Sequence, residues 1–155
     1  MENIEQRLKE LYDLDLPEAP AAAGVYSPAL VCGKLLYISG QLPSLNGEIQ
    51  MHGTLGKDVS VEEGQQAARY CMLNILALAK KALGDFDRIE QFVQLIGYVQ
   101  CTPEFHSHVQ VINGASQLLN DLFQERGLPT RMALGTNAIP FDVPCEILAV
   151  IQLKD

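Results

Sequence analysis

The sequence predicts an α+β fold, a mixed sheet carrying two long helices on one face, in the order β-β-α-β-α-β-β behind a short N-terminal helix. Two observations point there. Two segments repeat apolar residues at three- and four-residue steps between helix start and stop signals. Around them stand five short runs rich in Val, Ile, Leu and Tyr, the residues that suit a pleated, half-buried surface. The order of these pieces is that of a layered sandwich.

The first dozen residues form a short helix with Ile4, Leu8 and Leu11 on one side. The stretch 15-DLPEAPAAAG-24 ends it with two prolines and runs on extended. Residues 25-VYSPALVCGKLLYISG-40 read as two strands around Cys32-Gly33-Lys34, and a polar loop follows over 42–60. Ser60-x-x-Glu63 is a capping box. Ala68, Cys71, Met72, Ile75, Leu76, Ala79 and Leu83 continue that helix to Gly84. The segment 89-IEQFVQLIGYVQC-101 is a strand with Val93, Leu95, Val99 and Cys101 on one face. Thr102-Pro103-Glu104 offers a cap, a proline and an acid, the pattern of a helix start. Phe105, Val109, Ile112, Leu119, Leu122 and Phe123 supply the apolar stripe of that second helix, closed by Gly127 and Pro129. Arg131–Thr136 and Cys145–Leu153 are the last two strands. The last is apolar almost throughout, as when both faces of a strand are covered. One helix layer leaves the second sheet face bare, so the face is expected to pack on copies of itself in a closed homo-oligomer.

The chain has 155 residues, 48% of them apolar and 19% charged, enough for one domain spanning 1–155 with a proper core. A net charge of −8 and the absence of clustered Lys and Arg argue against nucleic acid as a partner. No apolar run is long enough for a membrane span, and the charged N-terminus is unlike an export signal. The expected location is cytoplasmic, with Cys32, Cys71, Cys101 and Cys145 reduced and mostly buried.

Two charges stand out in the apolar C-terminal strands, Arg131 and Glu146. A buried arginine needs a carboxylate, from the protein or from a ligand. One reading pairs the two in a structural salt bridge. The other gives Arg131's planar fork to a substrate carboxylate and leaves a desolvated Glu146, its pKa raised, to act on a water molecule.

Several fragments, in order, resemble the reactive-intermediate deaminase (Rid/YjgF, endoribonuclease L-PSP-like) family: 19-APAAAGVY-26, 35-LLYISGQLP-43, Asn113 within 112-INGASQLLNDLF-123, and 129-PTRMALGTNAIPFDVPCEI-147. The spacing from Arg131 to Pro140 to Glu146 follows the family pattern. The resemblance implies a chorismate-mutase-like fold, a homotrimer with clefts between subunits, and hydrolysis of imines or enamines of small 2-amino acids to 2-keto acids and ammonia. It implies that Arg131 holds the substrate carboxylate, that Glu146 orients or activates water, and that Tyr26, Ser39, Gly40 (through its backbone N–H), Asn113 and position 133 line the cleft. No metal, nucleotide or other cofactor is implied. Ala133 stands where the family often has Cys, which excludes thiol chemistry there. Gly24-Val25-Tyr26 replaces Gly-Pro-Tyr. The N-terminal helix and the loop around Met51–Lys57 resemble additions of a less characterised branch.

His106 and His108 point apart on a helix and are expected to be solvated rather than metal ligands. His52 is not expected at the cleft. Asn113 is unfavourable in mid-helix, which suggests a polar partner. The alternative to an imine or enamine deaminase is a non-catalytic trimer that binds small carboxylates as a sensor or regulator. Ribonuclease activity is disfavoured by the charge.

Overall fold

A computed structural model describes residues 3–155. Helix α1, Ile4–Tyr12, is capped by Asn3, whose side chain accepts from the amides of Glu5 and Gln6. Ile4 and Leu8 are buried, but Leu11 faces solvent. The strands are β1 (Ala29–Cys32), β2 (Leu35–Gln41), β3 (Ser44–Leu45), β4 (Glu48–Ile49), β5 (Ile89–Gln100), β6 (Thr130–Thr136) and β7 (Cys145–Leu153); the long helices are α2 (Val61–Leu83) and α3 (His108–Phe123). The main sheet has the order β1-β2-β7-β5-β6, with β5 and β6 parallel and the other neighbours antiparallel. This is the mixed α+β arrangement that the sequence predicts.

Both long helices lie on one sheet face. There Leu36 and Ile38 of β2, Leu95 and Val99 of β5, and Ile147, Ala149 and Ile151 of β7 join the core under α2 and α3. The capping box of α2 forms as expected, Ser60 Oγ accepting from Glu63 N and Glu63 from Ser60 N. The helices meet at glycines: a Cβ on Gly114 would lie 2.1 Å from the Gln65 carbonyl oxygen, so only a bare Cα allows this crossing.

Three details depart from the sequence reading. The loop over 42–60 contains the hairpin β3–β4, turned by Asn46-Gly47 with both residues at positive φ. Helix α3 begins at His108, not at Thr102. The chain is still paired at Cys101, which bridges to Leu55, and Thr102 donates its N–H to Leu55 O, so Thr102-Pro103-Glu104 forms a turn. The later start rotates Val109 to solvent and puts Val111, Ala115 and Leu118 in the buried stripe. In β5, register shifts on either side of Gln91–Phe92 turn Phe92 inward in place of Val93, where it packs edge-on against Phe123 at 4.9 Å.

The other sheet face has no cover among the described residues. Leu30, Tyr37, Tyr98, Met132 and Leu134 are exposed there, with Ile96, Leu148 and Val150 half-buried between them, so one apolar surface crosses all five strands. Because α2 and α3 leave no room at Gly114, Gly114→Ala should lower stability by about 2 kcal/mol or more, read as a drop in urea midpoint at unchanged slope.

Candidate functional site

The site begins with an irregularity in β2. Ile38 pairs with Ala149 and Gln41 with Ile147, so Ser39 and Gly40 together oppose the single residue Leu148. This bulge interrupts the ladder at the strand end and bends it. The Glu146 side chain occupies the space so freed: a Cβ on Gly40 would lie 2.4 Å from Glu146 Oε1. A side chain at position 40 would displace the Glu146 carboxylate from this placement. Ser39 donates its hydroxyl to Ser27 O at 2.8 Å and its N–H to Pro28 O at 3.0 Å, which ties the preceding segment against the bulge. That segment holds Tyr26, whose hydroxyl accepts from Ala23 N at 3.2 Å.

Tyr26, Ser39, Gly40, Pro140, Phe141 and Glu146 line a cleft of about 440 Å³. An adjoining lobe of about 310 Å³ shares Tyr26, Gly40, Leu42 and Phe141 with it. The Glu146 carboxylate has no hydrogen-bond or ion-pair partner among the described residues, and burial raises its pKa. A carboxyl desolvated in this way holds a proton more readily than a solvated one, which suits it to proton transfer.

Two buried amides hang the cleft walls on the core. Asn74 of α2 donates to Leu42 O at 3.1 Å and to Ser44 O at 2.8 Å. Gln100, at the end of β5, donates to Gly53 O at 3.0 Å and Asp142 Oδ1 at 2.7 Å, and accepts from Ile139 N at 2.7 Å. These bonds hold Phe141 and Asp142 in left-handed conformations, φ 64° and 55°, which are costly for such residues. His52 Nδ1 lies 2.9 Å from Phe141 O, so it supports the cleft loop from behind. Sequence reasoning missed Asn74, Gln100 and Phe141. A polar Asn inside the apolar stripe of α2 was the available signal for the first; Phe141 carried none.

Arg131 lies elsewhere. On β6 it shares the helix-facing side with Ala133 and Gly135, and its Nη1 donates to Asn113 Oδ1 at 2.7 Å and Ser116 Oγ at 3.0 Å, both on α3. Ser116, one turn beyond Asn113, was not foreseen. Burial lowers the Arg131 pKa, and no carboxylate pairs with it among the described residues. Arg131 is level with Leu95 of β5, whereas Glu146 is level with Tyr98 and on the opposite face. Two strand spacings and three residues separate them, about 10 Å across and about 10 Å along the sheet. The salt bridge weighed from the sequence is not formed. One chain therefore brings Tyr26, Ser39, Gly40 and Glu146 together, and groups Arg131 with Asn113 and Ala133 at a different edge.

His106 is exposed, but His108 turns inward, its Nε2 3.3 Å from Cys101 Sγ and its ring against Phe105. It is not the solvated residue expected. Among the described residues no three His, Cys, Asp or Glu are grouped to hold a metal, and no helix is long and apolar enough to cross a membrane. Cys71 and Cys145 are buried, Cys101 is half-buried and Cys32 is exposed, all as free thiols.

Residues 5–153 match the sequence model of a family described as "YjgF/chorismate_mutase-like, putative endoribonuclease". The chain belongs to the YjgF/Rid family. It is similar to Protein TCP17 of Trypanosoma cruzi, 38% identical over 92% of this chain and 89% of that one. It is also similar to a protein of unknown function from Agrobacterium tumefaciens, with 43% identity, a TM-score of 0.91, and coverage of 97% of this chain and 92% of that one. RidA from an Antarctic Psychrobacter is more distant: 25% identity, TM-score 0.63, covering 87% of this chain and 94% of that one. Within the YjgF family this chain thus sits nearer the Agrobacterium structure than RidA.

The unpartnered Glu146 has a consequence for stability. Its folded pKa lies above the unfolded one, about 4.3. The folded state therefore holds this proton more tightly, and stability is lost as pH rises from the unfolded pKa through the folded one. Glu146→Gln should raise the Tm at pH 7, and the gain should vanish below about pH 4; a pH series of thermal melts reads it.

Proposed function

We propose that this protein hydrolyses imines or enamines of small 2-amino acids to 2-keto acids and ammonia, at sites completed between copies of the chain. The observation that carries this reading is a half-buried carboxylate without a partner, lying over Gly40 in a ligand-sized cleft. A second supports it: the Arg131 guanidinium is fixed at one nitrogen by two neutral side chains and meets no carboxylate among the described residues.

Because one chain keeps the two groups on opposite faces, a substrate that meets both must lie where Arg131 of one protomer approaches the Glu146 cleft of its neighbour. The open apolar sheet face supplies the reason for copies to associate, and a closed trimer is the assembly we favour. Arg131 then grips the substrate carboxylate, with Asn113 and Ser116 holding the fork in place. The protonated imine carbon is electrophilic. Glu146 takes a proton from water as the oxygen adds to that carbon, and a tetrahedral carbinolamine forms. Return of the proton to nitrogen lets ammonia leave and the carbonyl form. The balance is one imine and one water to one 2-keto acid and one ammonia, with no redox step. A net charge of −8 weighs against an RNA substrate.

The test is ammonia release from 2-aminoacrylate generated by a PLP-dependent dehydratase. Arg131→Ala should lose ligand binding. Glu146→Gln should keep 2-keto acid binding while kcat falls about 10²–10⁴-fold. Retained turnover in Glu146→Gln would retire the hydrolytic role of this carboxylate, leaving a binder of small carboxylates. Refolding the two inactive variants together should restore activity to roughly a quarter of the sites, those that pair an intact Arg131 with a neighbour's intact Glu146. A mixture that stays inactive would contradict a shared site.

A further inference from the structure

The lobe beside the Glu146 cleft differs from it in chemistry. Its wall is the arm between α1 and β1, including Pro20, Ala21 and Ala22, faced by Leu42, Ile49 and Phe141. None of the described residues that line it is charged. Of its polar side chains, Gln41 Nε2 donates to Ser39 O at 2.9 Å, Ser44 Oγ accepts from Asn74 at 3.0 Å, and the Tyr26 hydroxyl accepts from Ala23 N at 3.2 Å. An anionic group entering this lobe would leave water and find no cation, which is costly. A substrate carboxylate is therefore disfavoured in it. The two spaces nevertheless join, because Tyr26, Gly40, Leu42 and Phe141 border both. A molecule whose reacting carbon stands by Glu146 can extend one substituent past Phe141 into the lobe, and that substituent has to be apolar.

We propose that this lobe is the side-chain subsite, and that the protein selects 2-imino and 2-keto acids with a branched aliphatic side chain over the smallest ones and over those with a second acid. The proposal rests on the reading of the cleft as a 2-imino acid site. The lobe's volume of about 310 Å³ is far more than a methyl group fills. Phe141 is the specificity-determining wall, since its left-handed backbone, fixed through Gln100 and His52, presents its exposed side chain where the lobe and the cleft meet.

The experiment is calorimetric titration of the full-length protein with pyruvate, 4-methyl-2-oxopentanoate and 2-oxoglutarate. Burying a methylene improves affinity about fourfold, so the branched acid should bind at least about tenfold tighter than pyruvate. 2-Oxoglutarate should bind no tighter than pyruvate. Ala22→Phe and Ile49→Trp, which fill the lobe from two separate segments, should each remove the preference for the branched acid and leave pyruvate affinity within about twofold. Equal affinity for pyruvate and the branched acid, or loss of both ligands together in folded filling variants, would overturn the proposal. If no 2-keto acid binds the wild type, the carboxylate site falls and the subsite with it. If the branched acid is preferred but no imine releases ammonia, the subsite stands and only the hydrolytic step is retired.

Discussion

Side chains of a strand alternate between two faces, and α2 and α3 cover only one of them. Much of this molecule follows from that constraint. Covering one face builds the core from Leu36, Leu95, Ile147 and their neighbours, while leaving Tyr37, Tyr98, Met132 and Leu134 in the open. The same alternation assigns the two notable charges. Arg131, the second residue of β6, turns toward α3, where Asn113 and Ser116 meet it. Glu146 turns to the other side, where the β2 bulge and Gly40 make room for its carboxylate. Had both pointed to one face on adjacent strands, they would neutralise each other and neither would be available to a ligand.

The cleft is made largely of loops, yet buried side-chain amides tie those loops to the core. Asn74 and Gln100 are nearly inaccessible, and each spends its amide on backbone groups of a cleft wall. Buried amides of this kind are stabilising only when satisfied, so each fixes one loop geometry rather than several. This is how Phe141 and Asp142 keep left-handed conformations that isolated peptides avoid.

Elements with strong local signals were legible in the sequence. The Ser60 capping box, the Gly84 stop and the apolar C-terminal strand all stand where periodicity places them. Signals failed where a distant partner overrode them. Thr102-Pro103-Glu104 has the composition of a helix start, but pairing with Leu55 keeps the chain extended through Cys101. Val93 has an inward-looking position by strict alternation, but two bulges, which no residue type announces, exchange it for Phe92. At the site, Tyr26 and Gly40 were identified by family resemblance and Glu146 already as a lone charge in an apolar strand, and the structure shows the Glu146 carboxylate lying against Gly40. That Arg131 and Glu146 stand on opposite faces could not be read from their spacing along the chain, because it depends on strand register and on the order β7-β5-β6. Gln100 was invisible for a related reason: its partners come from residues 53–54 and 139–142, both remote in sequence.

The separation of the charges also bears on what kind of molecule would satisfy them. An unpaired carboxylate in a desolvated cleft is unfavourable when ionised, and a guanidinium bonded only to neutral groups is incompletely compensated. A protonated 2-imino acid carries the complementary charges on adjacent carbons, a carboxylate for Arg131 and an iminium for Glu146. On the proposed reading it would relieve both at once, with its own covalent skeleton bridging two subunits. Addition of water removes the positive charge from nitrogen and with it the attraction to Glu146. A 2-keto acid product keeps only the carboxylate half of the interaction, so it is held less tightly than the imine that gave rise to it. On the proposed reading, the charges that raise the folded state's energy are thus the ones that favour binding the imine and releasing the 2-keto acid.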